Sequence, residues 1–257
     1  MNWWKLAPPE GRRFGLLAAG GLVYVLPILL ADRYYQDDLA RSLYGATGWA
    51  GDGRPLTEWL MELLAGGGTT VVDLSPLPML LGLAALAYAL TLYARQAFPA
   101  LRESKLATLA LGFVLVHPFA MANLSYKFDC LTMLLALALC FVLYALPRTL
   151  GGPRLALAGA VAALLVMDLY QPASGMFLVL AGIWFVFWLV DWLGSGGPLG
   201  ERLGDFWPEV WRLGGVAVGA LVYLAAVAPR FVDSEGWRRE ASRTVGGPGT
   251  LTTIMTN

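Results

Sequence analysis

The chain has 257 residues, of which 58% are hydrophobic and 14% charged, and its formal net charge is zero. Its mean hydropathy is +0.61. Apolar runs of about 17–22 residues are long enough to cross a hydrocarbon layer as helices, so we expect an all-α polytopic membrane protein. The runs lack the two-residue alternation of a membrane β-barrel. Zero net charge argues against a nucleic-acid partner, which requires a basic face for phosphate contacts.

Seven apolar runs are predicted to span the membrane within a transmembrane domain of residues 1–228. Basic residues of short loops stay in the cytoplasm, and Lys5, Arg95 and Arg148 all fall on the N-terminal side in an alternating count. We therefore expect a cytoplasmic N-terminus in a bacterial inner membrane. A cleavable signal peptide is the alternative for the first run, which is long for that role and lacks a small-residue cleavage pattern. The predicted spans are 14–30, 76–94, 106–121, 130–146, 155–170, 173–193 and 213–228, with an extracytoplasmic first loop, 31–75.

The first outer loop contains a predicted amphipathic helix. Pro55 is a favourable first helical residue, and Gly66-Gly67-Gly68 ends the repeat. Its apolar face is expected to lie in the membrane interface and to roof a pocket at the outer ends of the spans. A helix packed into a small outer domain is the alternative. The apolar repeat consists of Leu56, Trp59, Leu60, Leu63 and Leu64, with Glu58, Met61 and Glu62 mostly opposite.

Two adjacent carboxylates, Asp37 and Asp38, follow the first apolar run beside Arg41. A charge at the bilayer centre costs roughly 2.5–3.5 kcal/mol on insertion scales, so this group predicts an interfacial or water-filled pocket. Such a pair can divide the roles of general base and orienting group, and we take Asp38 as the base, narrowly ahead of Asp37. Mg²⁺ or Mn²⁺ on both carboxylates stays open, whereas no His or Cys cluster has zinc spacing. A simple salt bridge to Arg41 is the competing explanation.

Other polar residues at the outer span ends are candidate substrate-binding groups. Guanidinium groups match phosphate oxygens bidentately, which suits Arg41 and Arg54, and Lys127 would add a point charge. Asp129 lies at the outer mouth of the fourth span, and Tyr170-Gln171 lies at the outer end of the fifth. Ionisable groups at this depth are functional hypotheses by default. Mutual neutralisation of Lys127 and Asp129 is the alternative.

Several unusual blocks occur in order between the predicted spans: 35–45 (YQDDLARSLYG), 52–56 (DGRPL), 73–78 (DLSPLP), 123–129 (NLSYKFD) and 170–173 (YQPA). Together they resemble the serotype-converting membrane glucosyltransferase family of bacterial O-antigen modification. The resemblance covers most of residues 14–180 and implies a GT-C-like transmembrane helical bundle with the acidic pair in its first extracytoplasmic loop. Because members of that family are typically longer, we expect an N-terminal half whose extracytoplasmic tail, residues 229–257, is truncated.

The resemblance also implies a function. It implies a hexosyltransferase that moves a glucosyl residue from a polyprenyl-phosphate donor to a lipopolysaccharide O-antigen or related surface glycan, outside the cytoplasm and among membrane lipid. Such a transfer requires a base for the acceptor hydroxyl and positive charge for the departing phosphate, which carboxylates and Arg or Lys supply. Two other classes stay open. A polyprenyl-linked sugar flippase or transporter would more often place its charges near the middle of the membrane, and the last class is a non-catalytic membrane assembly subunit.

Overall fold

The structure is a computed structural model that describes residues 4–101, 103–195 and 198–232. These residues form helices joined by turns and include no β-strand, as the sequence predicts. The expected tail, 229–257, lies outside the described residues from position 233 onward. The helices are α1 (Pro8–Ala31), α2 (Asp38–Tyr44), α3 (Pro55–Leu64), α4 (Leu77–Ala97), α5 (Lys105–Val116), α6 (Pro118–Leu124), α7 (Cys130–Ala145), α8 (Gly152–Tyr170), α9 (Gly175–Ser195), α10 (Leu199–Arg202), α11 (Trp207–Val222) and α12 (Ala228–Phe231).

Four stretches of the described residues are long and apolar enough to cross a membrane. They are Pro8–Ala31, Leu77–Ala97, Gly152–Ser195 and Leu203–Phe231, and the third contains both α8 and α9. The apolar helices α5 and α7 are shorter. The protein is therefore an all-α polytopic membrane protein. Each of the seven predicted spans has a helix at its place, while the number of crossings and the side of the N-terminus stay predictions.

The predicted third span, 106–121, is interrupted in the structure. α5 ends at Val116, His117 is extended with φ −86° and ψ 155°, and α6 begins at Pro118. Proline disfavours helical geometry in the residue before it and suits the first position of a new helix. The ring Nδ1 of His117 then accepts a hydrogen bond from the Ala120 amide at 3.1 Å and so caps α6.

α4 and α7 form the centre of the bundle. Most residues of both helices are buried, including the whole segment Leu131–Leu134 of α7. α1 packs against α4 and α5, and α5 also contacts α4, whereas α8 packs against α7 and α11. The α4–α7 pair therefore has α1 and α5 beside α4 and has α8 beside α7, with α11 packed against α8.

α8 and α11 approach each other closely through small residues. A Cβ atom added to Gly215 would lie 2.0 Å from the Ala156 carbonyl oxygen, and one added to Gly219 would lie 2.2 Å from the Ala160 carbonyl oxygen. Gly215 and Gly219 are four positions apart, the small-residue spacing that lets helix backbones meet in membranes. This contact fixes α11 against the bundle and therefore positions its polar residues.

The chain reverses direction after α8 through the turn Gln171–Ser174. The Cys140 thiol lies 3.5 Å from the Ala173 carbonyl oxygen, and the Tyr144 hydroxyl donates to the Phe177 carbonyl at 2.9 Å. Successive residues of the turn and of α9 therefore follow α7 toward its C-terminal end. We call the end of the bundle where α7 begins and α8 ends the loop end, and the other the opposite end.

The predicted amphipathic helix is present as α3, and Met61, predicted to lie opposite the apolar stripe, faces the protein. Thr57 and Met61 are buried, and Met61 packs with Trp49 and Phe128 in a small core at the loop end. Trp59 of the predicted apolar stripe is 58% exposed. Leu63 is also exposed, whereas Leu56 and Leu64 pack partly against the protein cores. The exposed part of the stripe fits the expected position in the membrane interface, because lipid rather than protein would cover it.

Candidate active site at the loop end

A polar cavity of about 270 Å³ opens at the loop end. It brings together five of the eight predicted site residues, namely Asp37, Arg41, Arg54, Asp129 and Tyr170, whereas Asp38, Lys127 and Gln171 do not line it. Its other lining residues are Tyr35, Asp52, Ala122, Asn123, Tyr126 and Met133.

Asp129 is the buried centre of the cavity wall. Its Oδ1 accepts a hydrogen bond from the Trp49 indole at 2.7 Å, and its Oδ2 accepts one from Arg54 Nη1 at 3.0 Å. Arg41 Nη2 lies 3.9 Å from Oδ1. A buried carboxylate needs such partners, because an unpaired charge in this environment is costly. Asp129 therefore holds Trp49 and Arg54 by hydrogen bonds and lies close to Arg41, and all three residues belong to the segment 31–75.

Arg54 is fully engaged by the protein. Besides Asp129, its Nε donates to the Leu169 carbonyl at 2.7 Å and its Nη2 donates to Thr132 Oγ1 at 3.1 Å. Its guanidinium carbon also lies 5.4 Å from the ring centre of Tyr170. With all three nitrogens in short hydrogen bonds, Arg54 joins the segment 31–75 to α7 and α8 and acts as a positioning residue.

Arg41 is buried on the same wall but is not satisfied by hydrogen bonds. Its guanidinium carbon lies 4.3 Å from the ring centre of Trp49. Its Nη1 lies 3.8 Å from Asp37 Oδ2, and Nε and Nη1 have no hydrogen-bond partner. Leaving buried donors of a charged group unpaired is unfavourable. An anion in the cavity would pair with them, and phosphate oxygens match this geometry.

The two adjacent aspartates have different environments. The Asp37 side chain is 69% exposed and lines the cavity. Asp38 is fully buried, and its carboxylate accepts hydrogen bonds from the backbone amides of Lys127 at 2.7 Å and Phe128 at 3.5 Å. Burial raises the pKa of Asp38, and these amides oppose the rise. Asp38 therefore ties α2 to the segment before α7, whereas Asp37 faces the space where a substrate would lie.

Lys127 belongs to a separate ion-pair group. Its Nζ lies 2.5 Å from Asp32 Oδ1, 3.5 Å from Asp73 Oδ2 and 4.3 Å from the ring centre of Tyr34. The Asp32 carboxylate has a lowered pKa because Lys127 donates a hydrogen bond to it and attracts it electrostatically. The partners of the Lys127 ammonium are thus two carboxylates outside the cavity.

Gln171 clamps the turn that carries Asp52. Its side-chain nitrogen lies 3.1 Å from the Asp52 carbonyl oxygen, 3.0 Å from the Gly53 carbonyl oxygen and 3.0 Å from the Tyr223 hydroxyl oxygen. Tyr223 donates to the Gly53 carbonyl at 2.6 Å. Gly53 has φ +78°, and a Cβ atom there would lie 2.5 Å from the Tyr223 oxygen. Glycine is required here both for the backbone conformation and for space.

Four polar lining residues were not selected as site residues from the sequence: Tyr35, Asp52, Asn123 and Tyr126. The Tyr126 hydroxyl donates to Gln36 Oε1 at 2.6 Å, and its ring packs edge to face on Tyr35 at 5.0 Å. Burial, followed by repulsion from Asp37, raises the pKa of Tyr126, which keeps its hydroxyl protonated as a donor. All four lie in the sequence blocks that carry the family resemblance, and membership of these blocks could have identified them as candidates.

The geometry does not support a metal shared by Asp37 and Asp38. The Asp38 oxygens are directed at backbone amides, while Asp37 faces the cavity. Among the residues that the structure describes, no group of three or more His, Cys, Asp or Glu side chains could hold a metal ion. Mg²⁺ prefers several oxygen ligands in near-octahedral geometry. We therefore derive no step through a metal.

Comparisons with known proteins identify the family of the chain. Residues 26–197 match the family described as Glucosyl transferase GtrII. An uncharacterised 55.3 kDa protein in the gtrB 5′ region of Salmonella phage P22 is 38% identical over 121 residues, which cover 47% of this chain and 24% of the phage protein. The chain thus matches about a quarter of the length of that relative. No solved structure matches the chain.

Proposed function

The chain belongs to the GtrII glucosyl transferase family, and from this premise we propose that the loop-end cavity is the glycosyl-transfer site of a membrane glucosyltransferase. The observation that carries the proposal is the buried Arg41, with unpaired donors on a cavity wall, 3.8 Å from the exposed carboxylate of Asp37. A cation for a phosphate and a base for a hydroxyl thus lie side by side.

The proposed donor is a polyprenyl-phosphate glucose. Asp37 accepts the proton of an acceptor hydroxyl as its oxygen bonds to the anomeric carbon. The bond from that carbon to the phosphate oxygen breaks, and the departing lipid phosphate keeps the electron pair and is stabilised by Arg41. We assign the base to Asp37 rather than Asp38, because the Asp38 carboxylate is buried against two backbone amides.

The cavity walls suit a sugar. The tyrosines Tyr35, Tyr126 and Tyr170 line it and combine an apolar ring with a polar hydroxyl. The Tyr170 hydroxyl lies 3.3 Å from Asn123 Oδ1, which fixes that ring relative to α6. Arg54 and Asp129 hold the wall in place and do not themselves need to contact the reacting atoms. Catalysis by positioned groups requires this kind of support.

Family membership and the membrane helices support the remaining parts of the proposal. These are a GT-C type of enzyme in the bacterial inner membrane, an extracytoplasmic site, and an O-antigen or related surface glycan as acceptor. Charge clustered at the loop end favours transfer over transport, because transporters more often bind their substrates near the midplane of the membrane. The exposed stripe of α3 would lie in the interface beside the lipid donor.

The test is transfer of radiolabelled glucose from polyprenyl-phosphate glucose to lipopolysaccharide in membrane vesicles that contain this chain. Asp37→Asn should reduce transfer by at least about a hundredfold, the usual scale of general-base catalysis, while donor binding is retained. Arg41→Gln should weaken donor binding itself. Glu62→Gln is the matched control, because it removes a carboxylate from α3 outside the cavity.

Four results would contradict parts of the proposal. Unchanged transfer by Asp37→Asn would remove Asp37 as the base, and a loss confined to Asp38→Asn would return that role to Asp38. Equal losses in Asp37→Asn and Glu62→Gln would indicate a general charge effect. Label that crosses the membrane on its lipid without reaching the acceptor would favour a flippase.

A further inference from the structure

A second charged cavity lies at the opposite end of the bundle. It has a volume of about 110 Å³ and is formed by the C-terminal parts of α4 and α7, the middle of α9, the start of α11 and Arg148. This volume is several times the minimum of roughly 10–15 Å³ that a water molecule occupies. The cavity can therefore hold a group the size of a phosphate.

Two arginines share one carboxylate in this cavity. Glu209 Oε1 lies 3.1 Å from Arg148 Nη2 and 2.5 Å from Arg212 Nη1. Arg148 Nη2 also donates to the Asp205 carbonyl at 3.0 Å, and Arg212 Nη2 donates to the Leu146 carbonyl at 2.7 Å. Two guanidinium groups held against one carboxylate leave a formal charge of +1 at the cavity.

The arginines also have unused donors. The Nε atoms of Arg148 and Arg212 are buried without a hydrogen-bond partner, and the Arg212 side chain is only 2% exposed. Buried donors of a charged group that remain unpaired are unfavourable. An anion bound between the two guanidinium groups would supply acceptors to both and would balance the excess positive charge.

The surroundings are aromatic and open onto an apolar surface. The guanidinium carbon of Arg148 lies 4.5 Å from the ring centre of Trp184, and that of Arg212 lies 5.5 Å from the ring centre of Tyr144. Phe187 lines the cavity but is largely exposed, as are its α9 neighbours Phe185 and Val186. A ligand with an anionic head and a hydrocarbon tail would use both the charged cavity and this apolar face.

We propose that this cavity binds the phosphate of an anionic lipid headgroup, whose hydrocarbon chains lie along the exposed face of α9. Guanidinium groups recognise phosphate bidentately, and aromatic residues suit the boundary between headgroups and hydrocarbon. Both arginines meet the lining carboxylate, Glu209, through its Oε1, whereas its buried Oε2 has no hydrogen-bond partner. The formal charge of +1 on the three groups is what favours an anion. The site is separate from the loop-end cavity and does not depend on the proposed transferase chemistry.

The test is lipid retention by the purified protein in neutral detergent, measured by native mass spectrometry. The wild-type protein should retain phosphatidylglycerol at concentrations at which it does not retain phosphatidylcholine. Arg148→Gln should weaken phosphatidylglycerol binding at least about tenfold, equivalent to 1.4 kcal/mol. Arg148 is the best position for this change, because its side chain is 35% exposed and a folded variant is expected. Arg154→Gln is the matched control, since Arg154 is exposed at the start of α8 and does not line the cavity.

Equal retention of phosphatidylglycerol by the wild type and Arg148→Gln would overturn the proposal. Equal weakening by Arg148→Gln and Arg154→Gln would also overturn it, because that result reports general surface charge. An arm with inorganic phosphate separates the two sources of the anion. Failure of millimolar phosphate to displace the lipid supports the headgroup with its chains as the ligand, and complete displacement would overturn the assignment to a lipid in favour of a free phosphate site.

Discussion

The two ends of the bundle carry similar charged groups in different surroundings. At the loop end, Arg41 and Arg54 flank the buried carboxylate of Asp129. At the opposite end, Arg148 and Arg212 flank the buried carboxylate of Glu209. The loop-end cavity also contains the exposed carboxylate of Asp37, whereas Glu209 is the acidic residue that lines the smaller cavity.

The presence of Asp37 distinguishes a cavity that could catalyse proton transfer from a cavity that could only bind an anion. Two guanidinium groups around one carboxylate give an anion site wherever an arginine keeps unpaired donors. Proton transfer requires in addition a carboxylate that a substrate can reach, and Asp37 of the loop-end cavity is such a group, because its side chain is 69% exposed and meets Arg41 only at 3.8 Å. Three tyrosines and an asparagine line that cavity, while two tyrosines, a tryptophan and two phenylalanines line the other. Among the described residues, the catalytic proposal therefore rests on the loop end alone.

The largest expected effect is on stability at the loop-end centre. Asp129→Asn removes the charge that pairs with Arg54 and Arg41, so a buried cation loses its partner. The free energy of unfolding should fall by about 3–5 kcal/mol, measured by denaturation in mixed detergent micelles. Asp37→Asn is the control in the same cavity and should change the stability by less than about 1 kcal/mol, because Asp37 is exposed. Similar losses of stability in both variants would contradict the assignment of a structural role to Asp129 and a chemical role to Asp37.

The two loop-end arginines should respond differently to lysine. Arg54→Lys loses most of three short hydrogen bonds, and the stability should fall by about 1.5–3 kcal/mol. Arg41→Lys loses no short hydrogen bond, so it should be more stable than Arg54→Lys but should bind the lipid-phosphate donor less tightly. Unfolding measurements on both variants test the predicted stabilities, and donor photo-crosslinking tests the predicted donor binding. The reverse pattern would make Arg54 the phosphate ligand.

The opposite-end site should depend on the close contact between α8 and α11. Gly215→Ala places a Cβ atom 2.0 Å from a backbone oxygen, three residues after Arg212, and overpacking of this kind costs about 1–3 kcal/mol. We expect weaker phosphatidylglycerol retention together with this loss of stability. The adjacent Gly214→Ala meets nothing within 4 Å and is the matched control. It should be neutral, or stabilising by up to about 1 kcal/mol through helix propensity. If both variants retain the lipid equally, the site does not depend on this helix contact.

The fold was largely predictable because apolar run length reports membrane helices directly. The helix break at Pro118 could have been predicted, because proline disfavours helical geometry in the residue before it. The continuous apolar character of residues 106–121 instead predicted a single span. The amphipathic pattern of α3 predicts an apolar stripe toward the membrane interface with Met61 opposite, but it does not show what Met61 packs against. In a membrane protein the apolar stripe can face lipid, and Met61 was drawn inward by Trp49 and Phe128, which lie elsewhere in the sequence.

Most residues of the candidate site could be predicted from the sequence, but their orientations and contacts could not. The sequence places Asp37 and Asp38 together, yet which of them faces the cavity depends on the backbone amide of Lys127, about 90 residues away. The charge of Arg148 was useful only for topology, and nothing local indicates that Arg212 and Glu209 of α11 would meet it. Contacts between residues so far apart in the sequence depend on how the helices pack, and a single sequence does not show this packing.

The smallest expected effect concerns the pH dependence of stability at the loop end. Because burial raises the pKa of Asp38 above its ordinary value of 3.8, the folded state binds its proton more tightly than the unfolded state does. Between the ordinary and the raised value this group therefore makes the protein less stable as pH rises. The lowered pKa of Asp32 acts in the opposite sense, since its contribution is present above the ordinary value and is lost as pH falls through the folded one. Unfolding measured from pH 3 to 7 should show that Asp38→Asn removes the first dependence and Asp32→Asn the second. An unchanged pH profile in Asp38→Asn would mean that its amide partners fully offset burial, and Asp38 would again be a candidate for the base.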